Sequence, residues 1–219
     1  MAIIIIAVFF VSAAVLGLEL VLVRALSIGH WNHLSFLVIS TALLGFGAGG
    51  TFVSIGLEFL TKFYRKALWA SALAMALTIP IVFAVSQKIP LDELQLIWDR
   101  RQILYLFMYY LLFFVPFFCA ACCIALAFSM LADKAHRLYF YNMAGSGLGA
   151  VAIVGLMYGN SPQVLLLVVS GVAFFAAAIL GFGISRRWAA GTLACAVVWI
   201  LTFGFAKGKI GRASCRERV

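Results

Sequence analysis

Long apolar runs separated by short polar segments dominate the chain. Seven runs are each close to the roughly 20 residues that a helix needs to cross the hydrocarbon core of a bilayer; they lie at 3–23, 34–57, 67–86, 103–131, 138–158, 163–184 and 188–206. Strands of a membrane barrel would instead alternate apolar and polar residues over about ten residues. The pattern therefore predicts an all-α fold, a polytopic bundle of about seven transmembrane helices.

Basic residues follow the even-numbered runs and so predict the orientation of the chain. Lys62, Arg65 and Lys66 follow the second run, Lys134, His136 and Arg137 the fourth, and Arg186 and Arg187 the sixth. The loop after the fifth run, 159–162, has no charged residue. Because basic loops stay in the cytoplasm, we expect a multi-pass protein of the plasma (inner) membrane with a cytoplasmic N-terminus.

Composition agrees with a lipid environment. Of 219 residues, 66% are hydrophobic and 11% are charged, whereas a soluble domain is about half apolar and a quarter charged. The formal charge of +9 is then typical of cytoplasmic loops and of contacts with anionic headgroups. We expect the lipid bilayer as partner, a helix-mediated oligomer as a further association, and no nucleic acid.

The last ten residues, IGRASCRERV, do not fit this scheme. They are the in-frame translation of a nucleotide string that looks like a common short-read sequencing adapter, and additions of this kind are excluded from fold reasoning. Seven spans from a cytoplasmic start would also place Lys207 and Lys209 on the outer side. We therefore expect a transmembrane helical module at 1–209, adapter read-through at 210–219, and native sequence continuing past Lys209.

Four polar residues are candidates for an intramembrane site. Glu19 and Arg24 lie five residues apart, about 140° around a helix, so Glu19 needs a partner on another helix. A proton or cation site and an interhelical hydrogen bond are both open for Glu19, and the second is favoured. His33, with His30, supplies at most two metal ligands, so an interfacial role is favoured. Asn142 is expected to hydrogen-bond across helices.

Glycines recur at four-residue spacing in the second and fifth runs. The pairs are Gly45/Gly49, Gly145/Gly149 and Gly155/Gly159. Small residues at this spacing let helices approach closely in lipid, so we expect helix packing, with a guess that the second and fifth runs pair. The alternative is that the glycines break the helices or line a substrate path, as in transporters. A dinucleotide loop is rejected because 145–149 lies inside an apolar run.

Three cysteines, Cys119, Cys122 and Cys123, share one face of the fourth run. A structural zinc site needs a fourth ligand, so packing is the favoured interpretation. We expect no metal site and no cofactor in this chain, and the sequence indicates no catalytic residue.

Three stretches together carry a family resemblance: SAAVLGLELVLVRALS at 12–27, HLSF at 33–36 running into LLGFGAGGT at 43–51, and YFYNMAGSGLGA at 139–150. They resemble the membrane region of the membrane-bound spermidine synthase-like proteins. At Asn142 that family typically has an aspartate. The resemblance implies that a soluble Rossmann-like domain of the aminopropyltransferase and methyltransferase type follows the module and binds decarboxylated or ordinary S-adenosylmethionine.

Three functions follow as expectations. The first is the integral membrane module of a spermidine synthase-like protein whose catalytic domain is absent from this chain, which leaves open whether the parent protein is an enzyme. The alternative is a secondary transporter or a fragment of one, which the intramembrane carboxylate and the glycine-rich runs support. A purely structural membrane subunit that works through helix contacts is a third class.

Overall fold

A computed structural model describes residues 1–29, 35–89 and 100–198, and every regular element in these ranges is helical. The helices are α1 Ala2–Gly29, α2 Ser35–Ile55, α3 Leu57–Lys62, α4 Tyr64–Ser86, α5 Arg100–Met130, α6 Ala135–Met157, α7 Pro162–Phe182 and α8 186–198, with a 3₁₀ turn at Ala132–Lys134 before α6. Six of them, all except α3 and α8, are long and apolar enough to cross a membrane. The chain is thus an all-α, multi-pass membrane protein.

The apolar runs predict these six helices closely, and the remaining run is only partly described. The described part of the seventh run, 188–206, is α8, which begins at residue 186. Positions 199–206 and the segment 210–219 lie outside the described residues. The described residues therefore contain six candidate spans, and the count of about seven is not confirmed.

Helix α1 is the centre of the arrangement. It packs against α6 and α7 most extensively and also touches α2 and α5. Helix α5 packs between α2 and α4, and α4 packs on α7 as well. The largest fully buried side chains come from α1, α4, α5, α6 and α7 and include Leu18, Leu68, Met75, Phe113, Phe117, Leu138 and Leu165.

The N-terminus and the basic loops lie at the same end of the bundle. Lys134 Nζ donates to Met1 Sδ over 3.0 Å, and Arg65 donates to the Gly183 carbonyl at the end of α7 over 3.2 Å. The positive-inside prediction requires these segments to face one side of the membrane. Their position at one end of the bundle meets that requirement. We refer to this end as the basic end.

Candidate functional site

Helices α1 and α6 pack closely on each other and run in the same direction. A Cβ atom added at Gly145 would lie 2.2 Å from the Phe9 carbonyl oxygen, and one added at Gly149 would lie 2.6 Å from Ala13 Cα. Farther along, a Cβ at Gly17 would lie 3.0 Å from Ile153. The two backbones touch where α6 has no side chain, which is the close approach that small residues permit in lipid.

A polar contact lies within this apolar pair. Ser12 Oγ lies 2.6 Å from Asn142 Oδ1 on α6 and 2.7 Å from the Val8 carbonyl oxygen. Ser12 is buried, and Asn142 is half-buried. A hydroxyl has one proton, so the two bonds share it, or the amide is reversed and its Nδ2 donates to Oγ. Asn142 therefore bridges two helices, and a neutral amide makes this contact without burying a charge.

Arg24 lies at the opposite end of the same pair. Its guanidinium donates a hydrogen bond to the Met157 carbonyl oxygen, in the last turn of α6. The last carbonyls of a helix have no partner within the helix, and they carry the negative end of the helix dipole. A cation at this place satisfies one carbonyl and interacts favourably with the dipole. Arg24 is thus a cap for α6 rather than a partner of Glu19.

Glu19 lies between these two polar contacts along α1, one heptad beyond Ser12. Its side chain is half-buried. Within the described residues, Glu19 forms no hydrogen bond or ion pair with any other group. A carboxylate inside a membrane span is costly unless it is paired, protonated or in contact with water. The interhelical hydrogen bond expected for Glu19 is not formed among these residues, and a proton or cation site remains the chemistry that this group can support.

Two of the remaining glycines on α2 pack against α5. A Cβ at Gly45 would lie 2.7 Å from Phe117 Cβ, and a Cβ at Gly49 would lie 2.6 Å from Ala121 Cβ. The guess that the second and fifth runs pair is therefore wrong. The main partner of α2 is α5, and the main partner of α6 is α1.

The last glycine pair has no close neighbour. Among the described residues, no atom beyond the local backbone lies within 4 Å of a Cβ placed at Gly155 or Gly159. Both α2 and α6 continue through their glycine clusters as unbroken helices. The alternative that these glycines break the helices is wrong for α2 and α6, because glycine removes no backbone hydrogen bond and here only reduces side-chain bulk.

The cysteines of α5 face two different neighbours. Cys123 is buried, with Sγ 3.7 Å from the Leu68 carbonyl oxygen on α4, and Cys122 Sγ lies 4.0 Å from the Gly49 carbonyl oxygen on α2. Within the described residues, no three His, Cys, Asp or Glu side chains are grouped so that they could hold a metal ion. His30 and His33 lie outside the described residues.

Helix α4 accepts two interhelical hydrogen bonds that the sequence did not predict. Ser170 Oγ on α7 donates to the Ala76 carbonyl oxygen over 3.1 Å, and Tyr109 Oη on α5 donates to the Ser86 carbonyl oxygen over 2.7 Å. Each pairs a hydroxyl with a backbone carbonyl. A carbonyl has no signature in the sequence, so only the hydroxyl-bearing residue inside an apolar run could have indicated these contacts.

Comparison of the chain with known protein families, with characterised proteins and with solved structures finds no match.

Proposed function

We propose that this chain is the membrane module of a spermidine synthase-like protein and that it serves as the anchor of a soluble transferase domain. The observation that supports the proposal is the α1–α6 pair. Stretches 12–27 and 139–150, two of the three that carry the resemblance, lie in these two helices, which pack closely and extensively on each other. Two stretches that are far apart along the chain thus form one structural unit.

The nature of the contacts favours an anchor. Tight glycine contacts and a buried amide–hydroxyl bond fix the relative position of two helices. Transporter sites are typically formed by unwound segments within spans, whereas α1, α2 and α6 are continuous. The N-terminus and the basic loops would then lie in the cytoplasm, where the transferase domain would meet its substrates.

The test is the uninterrupted gene and the protein that it encodes. We expect a Rossmann-like domain encoded downstream, and aminopropyl or methyl transfer from decarboxylated or ordinary S-adenosylmethionine by membranes that contain the full-length protein. A gene that continues into several further apolar spans, or full-length membranes without either transfer activity, would contradict the proposal.

A second candidate, a proton- or cation-coupled secondary transporter, is supported by Glu19 alone, the half-buried carboxylate without a partner among the described residues. Glu19→Gln should then abolish ion-coupled uptake in proteoliposomes while insertion into the membrane is unchanged. The matched control is Glu58→Gln, since Glu58 is exposed on α3 near the basic end. Equal uptake by the wild type and by Glu19→Gln would remove this candidate.

A further inference from the structure

A groove lies on the bundle surface between α2 and α4. Both helices pack on α5, which forms the floor of the groove with Phe118 among its residues, and Leu60 of α3 lies at one end. The groove holds about 320 Å³. It is open at the bundle surface, where Phe52 and Ala70 are exposed, and in a bilayer the surface between two spans is in contact with hydrocarbon.

The α4 wall of this groove is built from small side chains. Ala67, Ala70, Ser71 and Ala74 line it, at a spacing that places them on one face of the helix. Ser71 Oγ donates to the carbonyl oxygens of Ala67 and Leu68, at 2.9 and 3.0 Å, so its hydroxyl is satisfied within α4. The wall therefore presents an apolar concave surface, which suits an acyl chain rather than a polar ligand.

Cations flank the end of the groove at which α3 and α4 meet. Leu60 and Ala67 line the groove. The exposed Lys66 directly precedes Ala67, and the exposed Lys62 lies two residues after Leu60. Lys66 Nζ lies 5.9 Å from the centroid of the Phe63 ring, so its ammonium group stays near the apolar surface. Glu58 is the acidic residue of α3. One carboxylate does not balance the two lysines, so this end of the groove carries an excess of positive charge.

We propose that the groove binds one anionic phospholipid, with an acyl chain along the α4 wall and the phosphate at Lys62 and Lys66. The proposal is independent of the anchor function, because it depends only on the groove and its charges. Basic loops in general attract an anionic membrane surface without selecting a single molecule. Here an apolar groove of restricted size lies next to the cations, and this combination holds one lipid in a defined place.

The test uses the full chain purified in detergent and native mass spectrometry after addition of dioleoyl phosphatidylglycerol or dioleoyl phosphatidylcholine. We expect one phosphatidylglycerol to be retained in preference to phosphatidylcholine. A cation near an anionic headgroup contributes about 1 kcal/mol. The double variant Lys62→Gln with Lys66→Gln removes two cations and should therefore weaken phosphatidylglycerol binding about 30-fold. The matched control is Lys134→Gln with Arg137→Gln, a pair at the basic end that does not line the groove, and it should leave binding unchanged.

A second variant separates the groove from the charges. Ala70 lines the groove and is exposed, so Ala70→Phe adds a ring at the groove rather than in the buried core. This variant should abolish retention of the lipid while the unfolding midpoint stays close to that of the wild type. Glycerol 3-phosphate should not compete, because it has no acyl chain. Any of four results would overturn the proposal. They are equal retention of the two lipids by the wild type, loss of the lipid preference in the control pair, full retention by Ala70→Phe, and displacement of the lipid by glycerol 3-phosphate.

Discussion

Replacing Gly145 by alanine is the sharpest perturbation of the α1–α6 contact. The added methyl group would lie 2.2 Å from the Phe9 carbonyl oxygen and 3.0 Å from Phe9 Cα, and ordinary contact begins near 3.4 Å. All of the nearest atoms belong to the backbone of α1, so no side chain can rotate away. The two helices must therefore separate by about 1 Å at this level.

The cost follows from what the separation disrupts. Overpacking of this kind typically costs about 1–3 kcal/mol. The Ser12–Asn142 bond lies less than one turn from Gly145 on α6, and an interhelical hydrogen bond in a membrane contributes about 0.6 kcal/mol. The higher helix propensity of alanine offsets about 0.5–1 kcal/mol of this cost, so we expect Gly145→Ala to lower the free energy of unfolding by about 1–3 kcal/mol.

The matched control is Gly147→Ala. Gly147 lies in the same helix and is exposed, and outside its own helix no atom of the described residues lies within 4 Å of an added Cβ. Alanine also favours a helix over glycine by about 0.5–1 kcal/mol, so this variant should be neutral or slightly more stable. Unfolding by sodium dodecyl sulfate in mixed micelles, followed by circular dichroism, measures both. Equal stability of the two variants would refute the proposed contact between α1 and α6.

Three further predictions concern the polar contacts between helices. In a double-mutant cycle in mixed micelles, Ser12→Ala and Asn142→Ala should show a coupling of about 0.6 kcal/mol, and strict additivity would contradict the bond. Arg24→Leu should destabilise the fold by about 0.3–1 kcal/mol through loss of the α6 cap; Arg24→Lys should restore part of this loss in the same unfolding assay, and no difference between the two variants would argue against capping. Ser170→Ala should cost about 1 kcal/mol because the Ala76 carbonyl loses its donor, whereas Ser129→Ala, on the exposed face of α5, should be neutral; similar losses for both would contradict the contact.

The spans could be predicted from the sequence because each is a continuous apolar run of nearly the required length. Lipid cannot satisfy exposed backbone groups, so such a run has to be a helix. The short helix α3 could not be predicted in this way, since its six residues lie where an apolar run gives way to charges. The first turn of α4 is also informative. It contains Arg65 and Lys66 and no acidic residue, against the preference of a helix dipole, so the dipole of α4 does not account for these charges.

The candidate site could be predicted only in part. Glycine spacing indicated that helices approach closely, but not which helices, because the pattern describes one surface of a contact. The partners are chosen by small residues on the other side, Ala13 facing Gly149 and Ala121 facing Gly49. Arg24 could not be assigned as a cap from the sequence, because its partner is a backbone carbonyl that belongs to another helix.

The accessibility of single cysteines tests most directly whether the helices span a membrane with the basic loops on one side. In a background with all native cysteines replaced by serine, Lys134→Cys and Asn160→Cys place one thiol in each of two loops that flank α6. A membrane-impermeant maleimide applied to intact cells should label Asn160→Cys at once and Lys134→Cys only after permeabilisation. Labelling of both in intact cells, or the reverse order, would contradict the account.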